Sequence, residues 1–438
     1  MTRKKRVDSV VKDGLCAQCG WCILSCPAGA ITQQETSGGY LLPKIDEVKC
    51  NNCGLCYRMC PGWHVENLTQ AKQCDEFEGT VLAAFCGFAT NSEVRQKSQS
   101  GGIVSALLLH QTANNPNSRA IVCRMPNDGS LRPYAMLAKT SKDIVASCGS
   151  KYCPVRFNPE LGKHLFECQN ATVVGVSCQL QAVRNLQLLS PQWRDRCGLL
   201  IGLFCDRIMS LLAIQKLCSR AGVSFSDVKG FQYRSKEWKG WPGDVLIELN
   251  NGRKEFLPFS ERIRIKDVFT PSRCRMCFDK MNIFSDITLG DAHGLRTDNK
   301  GHSLILARTE NGLAALQAAA NDGVIALEPV SADVVLKAVH ITNKRREWAT
   351  YVAAWESMGR KAPDFHFSSN CQLPADKGSQ RKKIRQFIRA DRLAFQPSRE
   401  LALKEAQRQL VQERHIYWLS GSWLRRHASN WLSRLIRK

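Results

Sequence analysis

Between Cys16 and Pro61 the chain repeats one spacing twice. Cys16, Cys19, Cys22 and Cys26 are followed by Pro27, and Cys50, Cys53, Cys56 and Cys60 are followed by Pro61. Each run reads C-x2-C-x2-C-x3-C-P. Three closely spaced thiolates of such a run hold three irons of one 4Fe-4S cubane, and the fourth reaches across to a second cluster. Zinc knuckles pair two C-x2-C units and do not call for a third cysteine and a proline in each run. Gly20 and Gly54 fit backbone packed closely around a cluster. The spacing implies one-electron chemistry.

The same pattern marks bacterial two-cluster ferredoxins, in which the ligand sets cross. Cys16, Cys19, Cys22 and Cys60 are expected to hold one cluster, and Cys50, Cys53, Cys56 and Cys26 the other. An α+β ferredoxin-like two-cluster domain is therefore expected over residues 1–75, with Thr36–Tyr40 as the turn between its halves and Asn67–Gly79 as a polar linker. In a chain of 438 residues, 44% of them hydrophobic, this unit reads as an appendage to one or two larger domains. Twenty-one cysteines would suggest disulfides in a secreted protein. The segment MTRKKRVDSVVKDG has no apolar signal region, so a reducing cytoplasm is expected. No apolar run approaches bilayer-spanning length.

From Thr80 the pattern changes to short apolar runs alternating with helical stretches, as in an α/β domain over residues 80–375. Strands are expected at Ala120–Cys123, Tyr134–Ala138, Thr172–Val176, Leu199–Phe204, Asp286–Leu289 and Ser303–Ala307. Helices are expected at Ser141–Ser147, Asn158–Cys168, Gln179–Leu189, Ile208–Ala221 and Gly312–Ala320, and a hairpin at Asp244–Phe259 about Asn251-Gly252. Two strands run directly into cysteines, Cys178 and Cys205. Ends of strands in an open α/β sheet face the ligand crevice, so these thiols should share one mouth.

Ser98-Gln99-Ser100-Gly101-Gly102 opens the helical run Ile103–His110, and a serine- and glycine-rich loop at a helix N-terminus presents N–H groups to an anion. An ordinary helix cap is the plainer reading of the loop taken alone. Cys178, Cys205 and the C-x2-C pair Cys274 and Cys277 could assemble a four-thiolate site; a structural zinc or simply buried thiols would use the same residues. Asp291 and His293 follow the strand in Leu289–Gly294, where a histidine near working pH could protonate a substrate or merely be a satisfied structural residue. Lys151 and Arg184 could neutralise phosphates or lie on a solvated face.

These pieces, in order, resemble the family of the beta subunit of coenzyme F-420 (deazaflavin) hydrogenases and dehydrogenases, which includes 7-hydroxymethyl chlorophyll a reductase. The resemblance is carried by the paired cluster motif, SQSGGIVSALL at Ser98–Leu108, GSKYCPV at Gly149–Val155, GVSCQLQAVR at Gly175–Arg184, LFCDR at Leu203–Arg207, CRMC at Cys274–Cys277, DITLGDAHG at Asp286–Gly294 and GHSLILART at Gly301–Thr309. It implies an FAD-binding core whose flavin lies against Ser98–Gly102 and Ser150, Lys151 and Tyr152, and a third 4Fe-4S cluster on Cys178, Cys205, Cys274 and Cys277. The family usually has Thr-Pro-Cys-Gln where this chain has Val176–Gln179, and Cys-His-Gly where it has Cys205–Arg207. The family's substrates are therefore not carried over.

Net charge is +23, and residues 381–438 hold 15 Lys/Arg against 4 Asp/Glu. A basic helical tail over 376–438 is expected. Trp423, Leu424, Ala428, Trp431, Leu432, Leu435 and Ile436 fall near one helical face with Arg425, Arg426, Arg434, Arg437 and Lys438 beside them. Such a face suits an anionic membrane surface or a protein partner. No nucleic-acid reader motif is present. The resulting expectation is an iron-sulfur flavoprotein, cytoplasmic or peripheral on the inner membrane face. It would pass electrons between ferredoxin, or a similar partner, and a small-molecule or lipid-linked substrate through FAD. The alternative is a non-catalytic electron-transfer subunit of a larger complex.

Overall fold

A computed structural model describes residues 4–65, 75–295 and 298–365, together with Phe367 and Ile384. The amphipathic tail expected over 376–438 lies outside the described residues apart from Ile384, as do Cys74 and Cys371.

Each cysteine run begins a one-turn helix, Trp21–Leu24 and Leu55–Arg58, entered through a left-handed glycine, Gly20 (φ +80°) or Gly54 (φ +74°). The absent side chain at Gly20 makes room for a neighbour other than a cluster. A Cβ there would lie 2.0 Å from the Phe157 ring. Two strands, β1 (Ile31–Glu35) and β2 (Leu41–Ile45), pair antiparallel with Ile31 opposite Ile45 and join the halves.

This unit is not an appendage. Trp21, Ile23 and Leu24 are buried in one core with Leu161, Leu165, Leu180, Val183 and Trp193 of the larger part, and the Trp21 and Trp193 rings meet edge to face at 6.3 Å. Each indole removes 150–250 Å² from water, roughly 4–6 kcal/mol at about 25 cal/mol/Å² before entropy is counted. The described end of the expected linker is also core. Phe77 is 0% exposed and packs against Phe278 and Trp348, while Asp75 and Glu78 pair with Arg345.

The larger part is built on β3 (Ala83–Ala89), β4 (Ala120–Arg124), β5 (Tyr134–Ala138), β6 (Ala171–Val176), β7 (Cys197–Leu203), β8 (Val228–Ser235), β9 (Asp244–Leu249), β10 (Lys254–Leu257), β11 (Ile287–Asp291), β12 (Ser303–Ala307) and β13 (Ile325–Pro329). Eight of them form a sheet in the order β13-β3-β12-β11-β7-β6-β4-β5. Its centre, β11-β7-β6-β4, is parallel and its flanks are antiparallel. The parallel strands read as near-continuous apolar runs because helices cover both faces. β8, β9 and β10 make a separate antiparallel sheet whose turn holds Asn251-Gly252.

The helix expected from Ile208 begins only at Leu212. The preceding backbone is committed to distant partners: Met209 N–H donates to Tyr152 O, Ser210 to Phe269 O and Leu211 to Gly39 O. The helix Ile341–Glu356 then straps the two parts together. Trp348 Nε1 donates to Met276 O at 3.0 Å, and Trp355 packs near Gly14. No described helix is long and apolar enough to cross a membrane.

Candidate cluster sites and the crevice beside them

The cysteines of the paired runs separate into the crossed sets. One cavity is lined by Cys16, Cys19, Cys22 and Cys60, and another by Cys26, Cys50, Cys53 and Cys56. Several sulfurs already accept hydrogen bonds: Cys26 from Ala30 N–H (3.3 Å), Cys60 from Gly62 N–H (3.4 Å) and Cys50 from the Arg6 guanidinium (3.8 Å). Such donors orient thiolate ligands and tune what they bind. Burial pushes the Cys16, Cys19 and Cys60 thiols up to about 12, so metal must displace their protons on binding. Four soft donors around one cavity fit a 4Fe-4S cubane in each case.

Sheet register brings two cysteines of the expected third set level with each other. Val176, Leu203 and Leu289 stand side by side on β6, β7 and β11, and two residues beyond each come Cys178, Cys205 and Asp291. Cys274 arrives on the short helix Ser272–Arg275, with Cys277 just after it. Burial raises the Cys178 and Cys205 thiols well above their ordinary range, and the negative charge of Cys274 and Cys277 adds to the effect on each. The same mutual influence links Cys22 and Cys60 to Cys56, Cys16 to Cys274, and Cys178 to Cys19. Influence of this kind reaches the Cys16 set, the middle one, from both the Cys26 set and the inner set of Cys178, Cys205, Cys274 and Cys277. Among the described residues no three or more His, Cys, Asp or Glu side chains gather to hold a single metal ion. A cubane instead distributes its thiolates over separate irons.

The C-terminal edge of the parallel strands also carries Asp291 and His293. The Asp291 carboxylate accepts from Arg234 Nη1 (2.6 Å) and Nη2 (3.0 Å) and from Trp241 Nε1 (2.9 Å). Despite desolvation by burial, Arg234 holds it below the usual carboxylate range. A carboxylate kept charged and triply bonded positions its neighbours and does not donate a proton. His293 lies 3.7 Å from Asp291 Oδ2, half exposed, with its ring 4.9 Å from that of Trp241. Burial lowers its pKa, favouring neutral imidazole. Arg234 also donates to the Tyr152 hydroxyl at 3.0 Å, and the Arg262 guanidinium stacks 4.3 Å from the Tyr152 ring centre. Arg234, Trp241 and Arg262 belong to no recognisable motif.

The two segments expected to hold a flavin do meet, since Ser150 N–H donates to Gln99 Oε1 at 3.3 Å. Buried Gln99 Nε2 has no partner, and the space above Gly149 is open. Both observations fit a polar ligand along this seam. The glycine loop departs from expectation. Gly101 N–H is taken by Ser303 Oγ at 3.0 Å, and a Cβ on Gly101 would stand 2.5 Å from Gly87 O, so this glycine serves packing against the sheet. Gly102 (φ +85°) enters the helix Ile103–Asn114, Ser98 Oγ faces Cys148 Sγ at 3.8 Å, and Ser100 Oγ donates to His302 O. Lys236 braces the loop through the carbonyls of Arg95, Ser100 and Lys300, each at 2.7 Å.

Lys151 folds onto the Ser147 and Cys148 carbonyls, and burial lowers its pKa. Arg184 is structural, tied to Asp286 Oδ1 and Phe284 O at 2.8 Å each. Cys153 is buried beside Tyr233 and pushed up to about 12, which suits core packing better than a reactive thiol. Asp206 and Arg207, where the chain departs from its expected pattern, form ion pairs with each other and with Lys266, Asp267 and Glu347.

Paired cluster cavities set against a mixed α/β sheet define an iron-sulfur oxidoreductase. The sequence matches the family described as coenzyme F-420 hydrogenase/dehydrogenase, beta subunit, over residues 84–161 (N-terminal part) and 168–333 (C-terminal part), and a 4Fe-4S dicluster domain over residues 15–62. The chain belongs to this family of beta subunits. It is 25% identical over 327 residues to the coenzyme F-420-dependent sulfite reductase of Methanocaldococcus jannaschii, covering 70% of this chain and 46% of that protein. The match thus spans less than half of the sulfite reductase. It is 24% identical over 265 residues to the beta subunit of the coenzyme F-420 hydrogenase of Methanosarcina barkeri, covering 58% of this chain and 84% of that protein. A chain from the structure of the F-420-reducing NiFe hydrogenase complex of Methanosarcina barkeri shares the fold. The TM-score is 0.51 at 22% identity, covering 66% of this chain and 97% of that one.

Proposed function

We propose that this chain is a flavoprotein oxidoreductase that carries electrons from an acidic one-electron carrier of the ferredoxin kind, through three 4Fe-4S clusters, to FAD and an organic substrate. What supports the proposal is the pair of four-cysteine cavities, together with Cys178 and Cys205 at the strand edge that also bears Asp291 and His293. Bound along the Gln99–Ser150 seam, a flavin would supply the exchange between single electrons and a hydride.

The chain's own residues divide the remaining work. The twelve thiolates hold the clusters, and the tryptophan-lined core around Trp21 keeps water from the middle set. Arg234 and Asp291 fix Tyr152 and Trp241, and neutral His293 is suited to accept a proton at Nε2. Lys4 and Lys5 pack beside Gly54 of the Cys26, Cys50, Cys53 and Cys56 cavity, Lys49 and Arg58 stand next to that cysteine run in sequence, and the four complement an acidic donor. The tail at 376–438 is proposed to bind an anionic membrane surface.

Because the relatives above are named for it, the deazaflavin coenzyme is the first substrate to try. Anaerobically purified chain should release FAD on denaturation and, once reduced by ferredoxin, convert a hydride acceptor without other subunits. Bound flavin with no turnover of any carrier alone would favour the second reading, an electron-transfer subunit. That reading draws support from the match to 97% of a chain in a hydrogenase complex. Absence of flavin from intact, iron-loaded protein would overturn both versions of the FAD proposal.

A further inference from the structure

Arg273 directly precedes Cys274 and is 5% exposed. Among the described residues no carboxylate pairs with it. Its Nε donates to Gly62 O at 2.8 Å and its Nη2 to Pro61 O at 2.7 Å, both neutral carbonyls. Buried Arg6 and Arg234, by contrast, are each matched by carboxylates. A guanidinium cannot escape by losing its proton, and an isolated charge taken from water is costly unless an anion offsets it. An anion beside Arg273 would offset that cost.

Two candidates flank it. On one side its donors reach the carbonyls of Pro61 and Gly62, which directly follow Cys60, and on the other its own chain runs straight into Cys274. A 4Fe-4S cubane held by four thiolates is a net anion and gains one further negative charge on reduction. A bonded route also connects the sets. Cys60 Sγ accepts from Gly62 N–H at 3.4 Å, Gly62 O accepts from Arg273, and Arg273 is covalently joined to Cys274.

We propose that Arg273 is the buried counter-cation shared by the middle and inner clusters, stabilising the reduced form of each. The inference rests on the reading that both cysteine sets hold 4Fe-4S clusters. Each transfer moves one electron from the reduced middle cluster to the oxidised inner one, with no proton or leaving group. The electron is supplied from outside by the one-electron carrier. A fixed cation about 10 Å from a site at an effective dielectric of about 20 changes a one-electron equilibrium roughly tenfold.

The test uses full-length, anaerobically prepared protein, with iron content measured first and dithionite titrations followed by EPR. Arg273→Gln keeps an amide donor for the carbonyls and removes the charge; Arg273→Lys keeps the charge and removes the planar fork. With iron retained, Arg273→Gln should lower the reduction equilibria of the middle and inner sites about tenfold, 59 mV for one electron. The site of Cys26, Cys50, Cys53 and Cys56 should change far less, and Arg273→Lys should restore the wild-type values. Unchanged potentials in Arg273→Gln, equal shifts at all three sites, or equal shifts in the two variants would overturn the proposal. Should Arg273→Gln lose iron from either set, Arg273→Lys decides: full iron and normal potentials support the charge role, and matching iron loss assigns Arg273 to structure alone. Failure of the underlying reading is separately visible, as wild-type protein that lacks iron at the middle or inner set.

Discussion

Replacing Asp291 by asparagine isolates the pairing that anchors the crevice. The carboxylate accepts three hydrogen bonds, two from Arg234, whose side chain is 2% exposed, and one from Trp241. An amide offers one oxygen and no charge, so Arg234 is left buried and largely uncompensated. Breaking one side of a buried ion pair costs about 3–5 kcal/mol. Asp291 is itself 19% exposed, which places the expected loss near the low end, about 3 kcal/mol. The pH dependence gives a second reading of the same argument. A carboxyl held below its unfolded value of about 3.9 contributes stability that is present above that value and is lost as pH falls through the folded pKa. The gap between wild type and Asp291→Asn should therefore be flat from about pH 9 to pH 7.5, above the range in which His293, whose pKa Asp291 raises, takes up its proton. Anaerobic urea unfolding followed by circular dichroism across that range measures it. A loss below about 1 kcal/mol, or a gap that changes steadily between pH 9 and pH 7.5, would refute the reasoning and return Asp291 to the role of a protonated donor.

Gly101→Ala should destabilise the fold by about 1–3 kcal/mol, the range for overpacking, because its Cβ meets Gly87 O; a neutral substitution in thermal unfolding would contradict the packing reading. Gly20→Ala meets both a left-handed backbone and the Phe157 ring and should cost more than Gly54→Ala, whose Cβ has 3.4 Å of clearance; equal costs in parallel melts would argue against the contact. For the tail, full-length chain should sediment with anionic vesicles at low salt and release at high salt, whereas a chain ending at Pro374 should remain soluble and reducible. Full-length protein that ignores the vesicles would end the membrane proposal.

What could be read from the sequence tracked how locally each feature is encoded. The two C-x2-C-x2-C-x3-C-P runs carry their chemistry in consecutive residues, and the cavities group those cysteines as the spacing implies. Of the expected inner set, counting thiols at strand ends pointed to Cys178 and Cys205, and strand register does bring these two level. Arg234 and Arg273 carry no such signal. As sequence they are ordinary basic residues, and only tertiary packing reveals one as the partner of Asp291 and the other as a buried charge without a carboxylate. The Asn67–Gly79 stretch misled because its polar composition hides Phe77, one aromatic residue that inserts among Phe278 and Trp348. The late start of the helix at Leu212 likewise reflects backbone bonds to distant segments that periodicity cannot register.

Iron and acid-labile sulfide per chain, measured on anaerobically reconstituted wild type and Cys274→Ser alongside EPR of the reduced proteins, test the three-site account most directly. About twelve irons are expected in the wild type, falling by about four in Cys274→Ser with the signals of the paired sites intact. Four irons or fewer in fully reconstituted wild type, or unchanged iron in Cys274→Ser, would contradict it.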